Sequence, residues 1–444
     1  MKHIQKLTVA AVALTAAVVA QASIPTIDDD SISVTKRSSS LVIGYELKGE
    51  SAVVTVDFLT NGVSIGEANF ANVDGDVNRL VAAGSRQITW KFRESWPDHK
   101  TDDFSVKLTA WPVNDPPDYL VVSYDTEQKT GVARYYVSTN ALPYGGLANR
   151  LYATNNVVFR RFHAAGREYT MRCESLLSKL GNLRDDFRRV RLTRDYYMAV
   201  YETTAGHYKT LCGEASQQAQ KTIYYGGDVD EYPVQGYNSH SAIRWNDETY
   251  GWPNGGHFGN PNATPPWIKK VRDRFAFAFD LPTEAEWEFA CRAGSDRMYY
   301  YSDWLPNNAQ QSDINVWCWN VTNSKDGPHP VGLQPPNSWG LYDIHGNVAE
   351  ICLDFFDNTD GWIDRMSVSD GADNSDAHTD PVGVARPTTP IVGDLKPETT
   401  RVKRGGDYSV VYGRQSCGSR DYSYGGYTGV SPGMRLVCPA VAVK

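Results

Sequence analysis

From about residue 135 to the C-terminus, the chain loses clear hydrophobic periodicity, while Tyr, Trp, Gly, Asn and Pro become frequent. Long amphipathic helices and half-buried strands need apolar residues at intervals of about 3.6 or 2. A segment without those intervals, but with many large aromatic side chains, can bury a core only through short elements joined by loops. The sequence therefore predicts a loop-rich domain, held by many short elements, over residues 135–444.

Residues 174–189 are one helix candidate, and a clearer one begins directly after Leu281-Pro282. Thr283 can cap its N-terminus, and Glu286, three residues later, can reach back to the Thr283 amide, which makes a capping box. The residues that follow place apolar side chains at helical spacing and predict one buried stripe, made of Trp287, Ala290 and Cys291.

Five motifs occur in a fixed order along this part of the chain. They are DYYMAVYETT (195–204), LPTEAEWEFACR (281–292), PNSWGLYDIHGNVAE (336–350), RGG (404–406) and GMRLV (433–437). This ordered set resembles the formylglycine-generating enzyme, or sulfatase-modifying factor, family. The resemblance implies a single, largely irregular α+β domain whose architecture is related to that of C-type lectins.

The region before this domain has the character of a β-sandwich. Residues 41–45, 53–59, 88–92 and 104–110 are apolar or alternating and predict strands. Turn residues, among them Asn61-Gly62 and Asn114-Asp115-Pro116-Pro117, separate or follow them. We therefore predict a small all-β module over residues 23–125, immunoglobulin-like or fibronectin-like, which acts as a spacer or docking unit.

The first 22 residues have the features of a secretory signal peptide. Lys2 and Lys6 precede an apolar run from 7 to 20, and Ala20-Gln21-Ala22 supplies small residues at a cleavage site. The run is shorter than the roughly 20 residues that cross a bilayer. The alternative is a buried N-terminal helix. The pattern predicts a periplasmic or extracellular protein that does not span a membrane.

Net charge and cysteine content add two expectations. The formal net charge of -8 argues against a nucleic-acid partner, which would require a basic surface. Seven cysteines in an exported chain can form up to three disulfides. The family resemblance implies one of them, between Cys291 and Cys417, and the alternative is a pair of buried free thiols.

The resemblance also implies a structural calcium ion. Its ligands would be the side chains of Asp343 and Glu350 and the carbonyl oxygens of Gly346 and Val348. Calcium prefers such hard oxygen ligands. In the alternative, the two carboxylates only cap turns and accept hydrogen bonds from backbone amides.

The chain departs from the family where its chemistry takes place. The family's enzymes hold copper with two thiolates that lie between the Gly-Gly pair and the disulfide cysteine. Here residues 407–416 contain no cysteine, and Cu(I) requires soft sulfur ligands. Relatives that use iron bind it with histidines of an added helical domain, whereas the β segment here has only His99. We expect no catalytic residue and no copper.

Residues 407–431 instead resemble a contact surface in composition. Tyr, Gly, Ser and Asp make up 17 of these 25 residues, a composition similar to that of antibody binding loops. In the alternative, the tyrosines fill a loop-rich core. The candidate ligand-binding residues are Tyr412, Arg414, Asp421, Tyr422 and Tyr424.

Two hypotheses about function follow. In the first, the protein is an exported, lectin-like binding module for a glycan or a surface protein. In the second, it is an oxidoreductase related to sulfatase-maturation enzymes that works through ligands not recognised in the sequence. Fold alone cannot decide between them.

Overall fold

A computed structural model describes residues 23–70, 72–99, 101, 103–173, 186–213, 228–235, 243, 267–275, 277–302, 314–325, 327–356, 377–381, 401–411, 414–423 and 432–441. The predicted signal peptide, residues 1–22, lies outside these ranges. None of the helices described has the length and apolar character that a bilayer crossing requires.

Short strands dominate the described residues. In chain order they are β1 Thr26–Ile27, β2 Ser33–Lys36, β3 Leu41–Lys48, β4 Ala52–Thr60, β5 Val63–Ser64, β6 Val73–Gly75, β7 Leu80–Val81, β8 Gly84–Trp90, β9 Phe104–Pro112, β10 Tyr119–Asp125, β11 Thr130–Tyr136, β12 Val157–Phe162, β13 Arg167–Cys173, β14 Asp186–Leu192, β15 Tyr196–Ala199, β16 Glu350–Phe355, β17 His378–Thr379, β18 Arg401–Arg404, β19 Arg420–Ser423 and β20 Val437–Pro439. The α-helices are α1 Phe92–Ser95, α2 Leu151–Thr154, α3 Ala205–Cys212, α4 Trp267–Phe275 and α5 Glu284–Arg292.

The N-terminal unit consists of two antiparallel sheets that share one apolar core. Strands β1, β2, β3, β6 and β8 form one sheet, and β4, β5, β7 and β9 form the other. Alternate residues of β3 point inward, as its period-2 pattern requires. Phe58 of one sheet stacks on Trp90 of the other with 4.0 Å between ring centroids. The four predicted strands are therefore present, and the immunoglobulin-like or fibronectin-like character of the unit stays a prediction.

The last strand within the predicted sandwich range 23–125 belongs to the sheet of the second unit. Strand β10, Tyr119–Asp125, pairs with β11 and β12 rather than with the described strands of the sandwich. The Pro116-Pro117 pair separates β10 from β9, because prolines cannot continue a strand's ladder. The domain boundaries at residues 125 and 135 stay predictions.

The second unit is built around the five-stranded sheet β11-β10-β12-β15-β20 and two three-stranded sheets, β13-β14-β17 and β16-β18-β19. Helix α5 packs in the middle of this unit. Its capping box is present, because Thr283 accepts from the Glu286 amide and Glu286 accepts from the Thr283 amide. Trp287, Ala290 and Cys291 are fully buried as predicted, but every other residue of α5 is buried too, so the helix is enclosed on all sides rather than along one stripe.

The helix predicted over residues 174–189 is wrong in the part of it that the structure describes. Residues 174–185 lie outside the described ranges, and residues 186–189 belong to strand β14. Strand β14 pairs with β13 over seven residues, and this pairing outweighs a modest local helix propensity.

Candidate functional site

The sequence motifs meet around the buried carboxylate of Glu350, the first residue of β16. Arg435, just before β20, donates from Nε and Nη2 to Oε1 of Glu350 at 2.9 and 2.7 Å. Trp287 of α5 donates its indole N–H to Oε2 of Glu350 at 2.7 Å. Arg435 also donates to the carbonyl oxygens of Ala199, Val200 and Tyr342. Its one guanidinium is therefore hydrogen-bonded to two other motifs, 195–204 and 336–350.

The turn that leads into Glu350 has three residues in the left-handed region. Asp343 has a φ of 54°, Gly346 a φ of 81° and Asn347 a φ of 56°. A Cβ atom at position 346 would lie 2.1 Å from the carbonyl oxygen of Trp319, so only glycine fits there. This geometry explains why a glycine follows His345.

Glu202, just beyond β15, holds the same turn from its other side. Its Oε1 accepts from the Val348 amide at 3.0 Å, and its Oε2 accepts from the Asn347 side chain at 2.7 Å. Glu202 is fully buried. Glu202 and Arg435 belong to two of the sequence motifs, but no role was predicted for either of them. A charged residue in an apolar stretch is the signal that could have identified each one.

The three carboxylates of this cluster, Glu202, Asp343 and Glu350, outnumber its guanidinium, that of Arg435. Burial raises the pKa of Asp343 to about 6, and burial together with Asp343 and Glu350 raises the pKa of Glu202 well above its ordinary value. A net negative charge in a buried site is costly unless protons or a cation neutralise it. The cluster therefore favours the uptake of either protons or a cation.

The predicted calcium ligands fit a cation only in part. Asp343 accepts from the Gly332 amide through Oδ2 at 2.6 Å, while its buried Oδ1 has no hydrogen-bond partner among the described residues. Both oxygens of Glu350, by contrast, already accept hydrogen bonds from Arg435 and Trp287. Asp343 can offer a free carboxylate oxygen, and the calcium site at Asp343, Gly346, Val348 and Glu350 stays a prediction.

A second buried cluster joins Cys291, Cys417 and His345. The sulfurs of Cys291 and Cys417 are 3.5 Å apart, and Nε2 of His345 lies 4.0 Å from the first and 3.9 Å from the second. Among the described residues, this is the one group of three potential metal ligands whose atoms lie within 4.8 Å of one another. The sequence analysis missed His345, which lies inside the motif that supplies the predicted calcium ligands.

The two thiols of this cluster are shifted in opposite directions. Burial, and then the hydrogen bond to Cys417, raises the pKa of Cys291 well above its ordinary value. Burial acts to raise the pKa of Cys417 as well, but hydrogen bonds with Cys291 and His345 outweigh it and hold that pKa well below its ordinary value. The sulfurs are in contact but not bonded in this geometry. The disulfide stays a prediction.

The predicted ligand-binding residues differ in how exposed their side chains are. Arg414 is exposed, and Asp421 and Tyr422 are half-buried on β19. Asp421 lies 3.2 Å from the Lys403 ammonium, and Tyr422 packs on Phe356 with ring centroids 4.8 Å apart. Tyr412 and Tyr424 lie outside the described residues. Tyr422 therefore has a packing role, while the role of the exposed Arg414 in binding stays a prediction.

A cleft of about 520 Å³ lies elsewhere on the same unit. Its aromatic wall includes Phe289 and Trp339, whose ring centroids are 5.1 Å apart. Arg160 and Arg167 add positive charge to its lining. The cleft is lined by β12, β13 and the end of α5, so it shares no residue with the predicted surface 407–431.

Comparison with known proteins supports the resemblance. The family described as "Sulfatase-modifying factor enzyme 1-like domain" matches residues 180–440, more than half of the chain. The formylglycine-generating enzyme of Mus musculus is 33% identical over 151 residues, which are 32% of this chain and 34% of that protein. The chain thus matches about a third of the mouse enzyme's length.

Two other similar proteins have different descriptions. The "Inactive C-alpha-formylglycine-generating enzyme 2" of Mus musculus is 43% identical over 77 residues, which are 16% of this chain and 25% of that protein. Among solved structures, Treponema denticola variable protein 1 superposes with a TM-score of 0.43 at 21% identity and covers 64% of this chain and 95% of its own.

Proposed function

The chain belongs to the family of sulfatase-modifying factor enzyme 1-like domains, and we propose that within this family it is an exported binding protein rather than an oxidase. Its ligand would be a glycan or a surface protein, and calcium would stabilise the domain. The observation that carries this proposal is the lack of any cysteine in residues 407–416, together with the burial of Cys417 against Cys291.

Oxidation of a substrate cysteine needs a thiolate–metal centre that the substrate can reach. Cys417, which directly follows the cysteine-free segment, is fully buried and contacts Cys291 and His345. The nearby Cys318 is also fully buried, and burial raises its pKa to about 12, so it carries little thiolate at neutral pH. A similar protein described as inactive supports the view that the fold serves without this chemistry.

The rival function is formylglycine generation by unrecognised ligands, which the similarity to the mouse enzyme favours. A direct assay separates the two. We expect no conversion of a cysteine peptide that carries a sulfatase sequence to the aldehyde, with copper present and oxygen saturating, while an active family enzyme converts it under the same conditions. Aldehyde above the copper-only background would contradict the proposal.

The binding half of the proposal is tested by a glycan and surface-protein array. For the strongest ligand found, Arg414→Ala should weaken binding, because Arg414 is an exposed residue of the predicted surface 407–431. Arg167→Ala is the matched control, since it removes an equally exposed arginine from the cleft instead. The reverse result, a loss of binding only with Arg167→Ala, would move the binding site to the cleft.

Calcium binding predicts a chelator effect that depends on pH. Asp343 must be ionised to bind a cation, and burial raises its pKa to about 6. Removal of calcium with EDTA should therefore lower the melting temperature clearly at pH 8 and much less at pH 5, and added calcium should restore it. Differential scanning fluorimetry measures this effect.

Asp343→Ala should abolish that response, whereas Glu50→Gln, at an exposed position of the sandwich, should leave it unchanged. If neither the chelator nor added calcium changes the melting temperature of the wild-type protein at pH 8, the calcium proposal is wrong.

A further inference from the structure

We propose that the cleft of about 520 Å³ beside β12, β13 and the end of α5 binds a saccharide that carries a carboxylate, of the uronic-acid class. Its volume is in the range typical of ligand clefts. The inference rests on the proposed function in one respect, because it takes a glycan as the ligand. It concerns a second site, because the cleft shares no residue with the surface 407–431.

The apolar part of the cleft is a row of aromatic rings. The Trp339 ring lies 5.1 Å from that of Phe289 and 5.7 Å from that of Phe162, and Tyr169 meets Phe289 edge-on at 5.5 Å. Phe162 and Phe289 are buried, whereas Trp339 and Tyr169 are partly exposed. A sugar ring has an apolar face of C–H groups, which can pack on such a ring while its hydroxyls reach polar neighbours.

Two arginines bring positive charge to this row. Arg160 donates from Nη1 to the Trp339 carbonyl oxygen, an uncharged partner that holds its guanidinium beside the row. Arg167 is exposed on β13, and its guanidinium forms no ion pair with any residue that the structure describes. Arg167 and Tyr169 lie on the same face of the strand, because side chains alternate along it. A carboxylate in the cleft can therefore form a charge-assisted pair with Arg167 while its sugar ring contacts the aromatic row.

Most other charged side chains of the lining already have partners. Arg161 pairs with Asp195 at 2.7 Å. Arg292 pairs with Glu288 at 2.6 Å. Glu168 pairs with two arginines of β14. Arg160 and Arg167 therefore keep a positive charge in a chain whose formal net charge is -8, and this charge attracts an anion to the cleft.

The turn after α5 supplies an acceptor for sugar hydroxyls. Gly294 has a φ of 83°, and a Cβ atom there would lie 3.4 Å from Cζ2 of Trp339, so the turn runs close to the indole. It brings Asp296 to the lining, where the carboxylate is exposed and unpaired within the described ranges. This carboxylate would repel a peptide with several neighbouring acidic side chains. A sugar acid, with one carboxylate and several hydroxyl donors on a ring, fits both charges.

An array of uronic-acid oligosaccharides, followed by isothermal titration calorimetry on the strongest ligand, tests the proposal with the mature chain. The neutral match is the same oligosaccharide with its carboxylates reduced to alcohols. We expect the acid to bind about tenfold more tightly than its reduced form, and less tightly as the salt concentration rises. The proposal is wrong if no uronate on the array binds, or if the reduced form binds equally well. Triglutamate that binds as tightly as the uronate would show that the cleft selects charge alone.

Variants locate the site. Arg167→Gln should weaken uronate binding by about tenfold, because it removes the charge-assisted pair. Arg93→Gln, an exposed arginine of α1 in the sandwich, is the matched control and should bind like the wild type. Arg414→Ala separates this inference from the proposed surface 407–431. A loss with Arg414→Ala alone would overturn the cleft and support that surface, whereas a loss with Arg167→Gln alone would support the cleft and exclude that surface for this ligand.

Chemical protection provides a readout in the wild-type protein, which does not depend on the folding of any variant. Hydroxyphenylglyoxal modifies exposed arginines, and mass spectrometry of the peptides locates the modified residues. The bound uronate should protect Arg167 from modification and leave Arg93 reactive. Equal modification of Arg167 with and without saturating uronate would overturn the proposal.

Discussion

Replacing Arg435 by alanine is expected to lower the free energy of unfolding by about 3–5 kcal/mol, because it breaks a buried ion pair and leaves one partner uncompensated. Arg435 is fully buried and makes a double hydrogen bond to Glu350. Its remaining donors satisfy the carbonyl oxygens of Ala199, Val200 and Tyr342. The variant would leave the buried Glu350 carboxylate without its cation and three carbonyl oxygens without this donor.

Urea unfolding at pH 7 measures this loss. Lys48→Ala serves as the control, because Lys48 pairs with Asp28 at 2.6 Å on the exposed surface of the sandwich, where ion pairs contribute little. We expect the control to unfold like the wild type. If Arg435→Ala costs no more than Lys48→Ala, Glu350 does not depend on Arg435 in solution, and the convergence of the motifs would need another explanation.

Sequence reasoning succeeded where a local pattern determines a local structure. The capping box of Thr283 and Glu286 appears as expected in α5, because it depends only on residues within one turn. The strands of the N-terminal unit follow from alternation for the same reason. The family assignment follows from ordered motifs and is confirmed over residues 180–440.

The interior of the site could not be predicted in this way. Arg435 and Glu350 are 85 residues apart, and Glu202 and Val348 are 146 apart, so no spacing rule links them. His345 was missed because the resemblance directed attention to Asp343 and Glu350 in the same motif. The sheet that β10 joins could not be predicted either, because its pairing with β12 depends on residues more than 30 positions away.

The second large effect concerns Asp354 of β16, which lies under α5. Its Oδ2 accepts from the Glu284 amide at 2.6 Å, and its Oδ1 is buried without a hydrogen-bond partner among the described residues. Burial, followed by the nearby Glu284 carboxylate, raises the pKa of Asp354 from 3.8 to about 7. The side chain is therefore neutral in the folded protein at mildly acidic pH. It ionises at higher pH, where its Oδ1 still has no hydrogen-bond partner among the described residues.

The direction of the pH dependence follows from this shift. The folded state holds the proton more tightly than the unfolded chain does, so the stabilisation is complete below a pH of about 4 and is lost as the pH rises through about 7. The raised pKa of Asp343, about 6, acts in the same direction. The free energy of unfolding of the calcium-free protein should therefore fall between pH 5 and pH 8.

Asp354→Asn should stabilise the protein by about 2–4 kcal/mol at pH 8, since the amide keeps the acceptor for the Glu284 amide but never ionises. At pH 5 the gain should be less than half as large, because Asp354 is then neutral in the folded state but mostly ionised in the unfolded chain. Urea unfolding at the two pH values, with EDTA present, measures the difference. Glu50→Gln, which neutralises an exposed carboxylate, should change stability little at either pH.

Equal effects of Asp354→Asn at pH 5 and pH 8 would show that Asp354 does not titrate in this range. A destabilised variant at pH 8 would show that the ionised carboxylate has a partner, with Arg420, the cation that already lowers the pKa of Asp354, as the nearest candidate.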